Sequence, residues 1–148
     1  MIDQKQHKAT RVFVLDDEQV IANTLASILK HEGYSAIAFF DPRQVVQACH
    51  ENPPDILISD VVMPQMNGIE LALYMREHHP DCRVLLISGQ NETRTFVAEA
   101  AAHGHVFNVV AKPILPMNLL QELKKLSETQ PGSVALVGAS AVQFSPRQ

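Results

Sequence analysis

Ile56-Leu57-Ile58-Ser59-Asp60 carries an apolar run with no polar alternation straight into a carboxylate. A strand of that kind is covered on both faces, which is the habit of parallel sheets. Parallel strands need crossover connections, usually helices. The flanking sequence supplies more of the same. Val12-Phe13-Val14-Leu15 runs into Asp16-Asp17, Val84-Leu85-Leu86-Ile87 into Ser88, and Val109-Val110-Ala111 into Lys112. As parallel strands of one sheet, these runs place their C-terminal ends on one edge. Three carboxylates, a hydroxyl and an ammonium then meet in the crevice where open α/β sheets bind ligands.

Helical patterns fill the gaps between the runs. After a strand over Arg11 to Asp16, the segment Gln19 to His31 sets Val20, Ile21, Leu25, Ile28 and Leu29 on one stripe, with Gly33 where a helix ends. Ser35 to Phe40 reads as a strand, and Asp41-Pro42 as an N-cap with proline at the first helical position. Val45, Val46, Ala48 and Cys49 form the inner face of that second helix, which ends before Pro53-Pro54. A helix over Ile69 to His78 stops before Pro80, and a strand over Arg83 to Ile87 follows. Thr93 to Ala102 reads as a fourth helix, Val106 to Val110 as a fifth strand, and Met117 to Leu126 as a last amphipathic helix. Five β-then-α units predict an α/β fold, a doubly wound five-stranded parallel sheet with helices on both faces. The domain is expected over 11–127, between a polar segment at 1–10 and a tail or linker at 128–148.

The chain has 148 residues, 46% of them hydrophobic and 19% charged, which fits one globular domain. The net charge of −4 comes with no basic stripe, so no direct nucleic-acid contact is expected. The polar start lacks a signal-peptide core, and no apolar run is long enough to span a bilayer. Cys49 and Cys82 have no metal-ligand spacing, and the simplest location is a reducing cytoplasm.

Asp16 and Asp17 stand where a buried strand meets a loop. Adjacent carboxylates repel, and a third beside them raises the cost unless a cation is bound. An oxygen-lined pocket suits Mg²⁺, which keeps several waters and takes one or two carboxylates with a phosphoryl oxygen. The plainer alternative makes the pair a solvated loop or an N-cap for the helix from Gln19, with Glu18 in solvent or the first turn. Asp60 is costly in a covered sheet unless paired or metal-bound, and such a carboxylate can act as a nucleophile. Its plainer alternative is a strand-end cap. The loop after Met63-Pro64 reaches Gly68, where a positive φ is expected.

Ser88, beside Gly89, can donate to a phosphoryl oxygen, and Lys112 supplies a flexible point charge. A cis bond to Pro113 would turn that lysine inward. The seven histidines read as helix-end or loop residues, the methionines as core, and no Gly-x-Ser-x-Gly turn supports a serine hydrolase.

Asp16-Asp17, Asp60 with Met63-Pro64 and Gly68, Ser88-Gly89 and Lys112-Pro113, in this order and at these separations, resemble the receiver domain of two-component response regulators, of the chemotaxis-regulator kind. The resemblance covers residues 11–126. It implies a flavodoxin-like fold with strand order 2-1-3-4-5. It also implies that Asp60 accepts a phosphoryl group from a sensor histidine kinase or a histidine phosphotransfer protein. By the same resemblance Mg²⁺ sits on Asp17, Asp60 and the main-chain carbonyl of Val62, with Asp16 helping through water. Ser88 and Lys112 then contact the phosphoryl oxygens and shift on phosphorylation. The domain signals rather than turning over a substrate, although it catalyses its own phosphotransfer and dephosphorylation. A homodimer through the face of the fourth helix, fifth strand and fifth helix is a further expectation.

Two departures stand out. The family places Tyr or Phe three residues before the lysine, where this chain has Val109, with Phe107 two residues earlier. The segment from Gly104 to Lys112 is one residue longer than usual, which predicts a reshaped turn or a bulge.

Two rivals remain. A haloacid-dehalogenase-like phosphatase also uses a strand-end Asp, but its second Asp would fall at Glu18. A flavodoxin cradles phosphate in the first loop, which Asp-Asp-Glu would repel. After Gln130-Pro131-Gly132-Ser133 the tail is either passive or an arm that docks on a sheet edge or partner.

Overall fold

The central strands are buried on both faces, which is why they show no polar alternation. The strands are β1 (Arg11–Leu15), β2 (Ser35–Phe39), β3 (Ile56–Asp60), β4 (Arg83–Ser88) and β5 (Asn108–Ala111). The helices are α1 (Gln19–His31), α2 (Pro42–Glu51), α3 (Gly68–His78) and α4 (Pro116–Ser127). This is a computed structural model, and it describes residues 9–64, 66–88, 98, 101, 102, 104, 108–112 and 114–128. Val12, Val14, Ile56, Ile58, Leu85, Ile87 and Val110 pack on one side against α1 and α4, through Leu25, Leu29, Leu119 and Leu123. Phe13, Leu15, Leu57, Val84, Leu86 and Val109 pack on the other against α2 and α3, through Val45, Cys49, Leu71 and Met75.

All pairs are parallel, and the order is β2-β1-β3-β4-β5, as expected. Register carries the C-terminal ends to a common edge. Leu15 lies opposite Phe39 and Ser59, Asp60 opposite Ile87, and Ser88 opposite Ala111.

The differences from expectation are small and have local causes. Asp60 and Ser88 belong to their strands rather than following them, because Val61 N–H donates to Ile87 O and Lys112 N–H to Ser88 O. β1 stops at Leu15, yet Asp16 N–H still donates to Phe39 O. Asp41 caps α2 by accepting from Arg43 N–H, with Pro42 inside the first turn. Asn67 and Glu70 form a capping box on α3. Gly33 has the left-handed backbone expected of it, with φ 96°.

Gly68 does not, and the expectation of a positive φ there is corrected. A Cβ at Gly68 would collide with the Asp60 carbonyl oxygen, so the glycine is needed for close approach of α3 to the end of β3.

Of the expected fourth helix, Ala98, Ala101 and Ala102 are described and are helical. The rest of it, the start of the fifth strand at Val106 and Phe107, the Pro113 bond and the tail lie outside the described residues.

Candidate functional site

The sheet edge assembles the pocket from three strand ends. Asp16 follows β1 and is 2% exposed, Asp60 closes β3 and is 7% exposed, and Ser88 closes β4 and is 2% exposed. Asp17, next to Asp16, is exposed. Each of the three aspartates offers a carboxylate oxygen, and these oxygens lie within 4.8 Å of one another. Lys112, just past β5, sets its Nζ 3.2 Å from Asp16 Oδ2 and 3.4 Å from Asp60 Oδ1. Asp16 is neither solvated nor the N-cap of α1, but its Oδ1 accepts from Glu18 N–H at 2.9 Å. Glu18 is the N-cap of α1, without a side-chain cap bond. One carboxylate therefore anchors the turn and faces the lysine at once.

The electrostatics follow from this crowding. Burial, then Asp16, and more weakly Asp17, push the Asp60 carboxyl up to about 6 against the pull of Lys112. Burial alone would lower the Lys112 ammonium, but Asp60 and Asp16 outweigh it and raise its proton affinity above the ordinary value. A one-unit displacement is worth about 1.4 kcal/mol, so the ionised Asp60 carries a cost on the order of 3 kcal/mol. Two carboxylates and one ammonium leave net negative charge in a largely buried crevice, before the exposed Asp17 is added. That donor set fits a hard divalent cation.

Ser88 lies beside this group by register, one strand step from Lys112, whose N–H it holds at 2.7 Å through its carbonyl. Val62 is exposed, two residues beyond Asp60. Val109 pairs opposite Leu86 and is buried on the α2–α3 side, so core packing occupies the place the resemblance gives to an aromatic ring.

Sequence reasoning missed a second cluster, His50, Tyr74, His78 and His79, gathered where α2 and α3 end. Its only sequence signal was histidine at the ends of two successive helices.

Among the described residues no helix is long and apolar enough to cross a membrane. Residues 12–124 match the response regulator receiver domain family. The chain is 32% identical over 129 residues to the transcriptional regulatory protein CreB of Escherichia coli, covering 81% of this chain and 55% of CreB. It is 28% identical over 119 residues to the chemotaxis protein CheY of Thermotoga maritima, covering 80% of this chain and 98% of that one. The receiver domain of NtrX from Brucella abortus superposes with TM-score 0.71 at 26% identity, over 80% of this chain and 99% of that one.

The chain spans about half the length of the curated regulators TcrX, CreB and MtrA. MtrA of Mycolicibacterium smegmatis is named a DNA-binding response regulator. The expectation of no nucleic-acid contact is therefore not supported for this chain. With the family match over most of the chain and the sheet order it requires, the chain belongs to the response regulator receiver domain family of two-component signalling.

Proposed function

We propose that this receiver takes a phosphoryl group onto the Asp60 carboxylate from the phosphohistidine of a sensor kinase or phosphotransfer protein. One observation carries the reading: a buried carboxylate with two others within 4.8 Å, bridged by the Lys112 ammonium. An Asp60 oxygen attacks phosphorus, the P–O bond forms, and the donor's P–N bond breaks with its electron pair returning to the imidazole. The Asp60 carboxyl, held up at about 6 by burial and Asp16, is still ionised at pH 7.5, the form that attacks. Asp17, Asp60 and the Val62 main-chain carbonyl would hold Mg²⁺, with Asp16 acting through water. When bound, the ion neutralises charge on the transferring group.

Lys112 turns from its two carboxylates toward the new phosphoryl oxygens, and the Ser88 hydroxyl donates to them. These contacts exist in one state only, so they bias the face of residues 93–102, β5 and α4 between two arrangements. That face is the proposed output surface and the proposed homodimer contact. The receiver unit is taken as 11–127, with 1–10 and 128–148 outside it, working in the cytoplasm.

The rim supports a protein donor. Four of the five large apolar side chains exposed among the described residues lie within five positions of a pocket residue in sequence: Val20, Val62, Leu115 and Met117. Exposed apolar side chains this close along the chain to a charged crevice suit docking of a macromolecule. The phosphatase reading loses ground here, since Glu18 is exposed and meets Asp16 through its main chain.

Acetyl phosphate with Mg²⁺ should add one phosphoryl mass to the chain, and Asp60→Asn should abolish the addition. Unchanged labelling in that variant would move the acceptor elsewhere.

A further inference from the structure

The carboxylate pocket occupies one pole of the sheet. At the other pole, where α2 and α3 end, two imidazoles flank one phenol ring and a third meets one of them across the seam. Tyr74 stacks on His78 with centroids 4.2 Å apart, and His78 Nδ1 lies 3.1 Å from the Tyr74 carbonyl oxygen. His79 meets Tyr74 edge-on at 6.0 Å and, across the seam between the helices, meets His50 of α2 at 6.4 Å. The backbone pins His79 on both sides. Its N–H donates to Met75 O at 2.7 Å, and its carbonyl accepts from Cys82 N–H at 2.9 Å. Its Nε2 is buried without a hydrogen-bond partner.

An imidazole placed this way favours one charge state. Neutral, it can keep its proton on Nδ1 and leave only a lone pair at the buried Nε2. Protonated, both nitrogens are donors, and a buried donor with no acceptor carries its full desolvation cost. The surrounding charges add to that cost. Facing the ring are His50 from α2 and Tyr74 and His78 from α3. Burial first, then His50 and His78, hold the His79 proton affinity below the ordinary histidine value. Arg76, three residues back on α3, is a further cation. The acids beside these residues in sequence, Glu51, Glu77 and Asp81, are exposed.

Two buried thiols adjoin the cluster along the chain. Cys49 precedes His50, is fully buried, and sets its sulfur 3.8 Å from that of Met75. Cys82 is 5% exposed and bonded through its N–H to His79.

We infer that His50, His78 and His79 form an acid-sensitive latch across the α2–α3 seam, closed over the two thiols when neutral and opened when His79 is protonated. The sign is fixed by linkage. A histidine whose folded proton affinity is lowered binds fewer protons closed than open, so the closed state is favoured above pH 6.5 and loses ground as pH falls below it.

The test is thiol protection in the full chain. Reaction with an aromatic disulfide that remains thiol-reactive at acid pH is followed at Cys82 by peptide mass, relative to the urea-unfolded chain at the same pH. Protection should fall roughly threefold or more from pH 7.5 to pH 5.5, within the ceiling of about tenfold per pH unit that one proton allows. His79→Phe should abolish the pH dependence. His50→Gln, a change at an exposed side chain, should keep the fold and make the fall smaller, because one repelling cation is gone. The fall should persist in Asp60→Asn, which removes the other group titrating near this range. Protection unchanged down to pH 5.5, an equal fall in His79→Phe, or a fall that vanishes in Asp60→Asn would each overturn the latch.

Discussion

Asp60 is the residue on which most of the site's energetics turn. Its carboxyl is held up to about 6, against an ordinary value of 3.8, so the folded chain binds the extra proton between those values. Stability contributed by Asp60 therefore falls as pH rises from about 4 to about 6, and the cost is fully present above that. Without metal, Asp60→Asn should be more stable than the parent at pH 7.5 by about 1–3 kcal/mol, and the gain should vanish toward pH 4. Urea melts at the two pH values measure this, and an equal gain at both would contradict it. Lys112 gives the complementary case. Lys112→Met leaves Asp16 and Asp60 uncompensated and should cost about 2 kcal/mol, less than for a fully buried pair because the lysine is partly exposed. In the Asp60→Asn background the cost should shrink by half or more, and a double-mutant cycle reads the difference. Adding Mg²⁺ should raise the melting temperature of the parent and leave that of Asp60→Asn nearly unchanged.

Two glycines separate space from backbone conformation at the scale of elements. Alanine usually helps a helix, yet at Gly68 its Cβ would meet the Asp60 carbonyl, so Gly68→Ala should lose about 2 kcal/mol or more. At Gly33 the space is open but φ is 96°, and Gly33→Ala should lose about 1 kcal/mol. Thermal melts rank the two, and the reverse order would mean that α3 can move away from β3. The first turns of α1 and α4 carry a different prediction. Val20 is 77% exposed and Met117 64% exposed, so neither supports the core. Val20→Asp with Met117→Asp should leave acetyl phosphate labelling within twofold of the parent while cutting transfer from a cognate phosphohistidine donor about tenfold or more, an estimate for loss of an apolar contact. Element ends were the least legible part of the chain. Ser88 and Asp60 complete their strands through bonds donated by Val61 and Lys112 to the neighbouring strand, partners that the local sequence does not name.

Across the whole molecule, the receiver is built to be self-sufficient, with both faces of the sheet covered by its own helices. Deleting residues 129–148 should leave phosphoryl uptake intact, and a folded truncation that takes up no phosphoryl group would show that the tail completes the site. Alternating buried runs and helical stripes made the parallel sheet legible, while its strand order came only from the resemblance that the ordered site motifs carry. Run length, caps and apolar period are local properties, so the sequence by itself determined the elements, the parallel sheet and the carboxylates at its edge. Nearness is not local. Asp16 and Asp17 are the same residue type, yet the folded chain buries the first at the end of β1 and leaves the second exposed in the turn that follows. Only the assembled sheet brings Lys112 within 3.4 Å of carboxylates that lie 96 and 52 positions earlier (112 − 16 and 112 − 60). The reason also covers the histidines: burial and partner distance arise when separate elements pack, and so tertiary structure decided that His79 would hold a dry nitrogen between two helices.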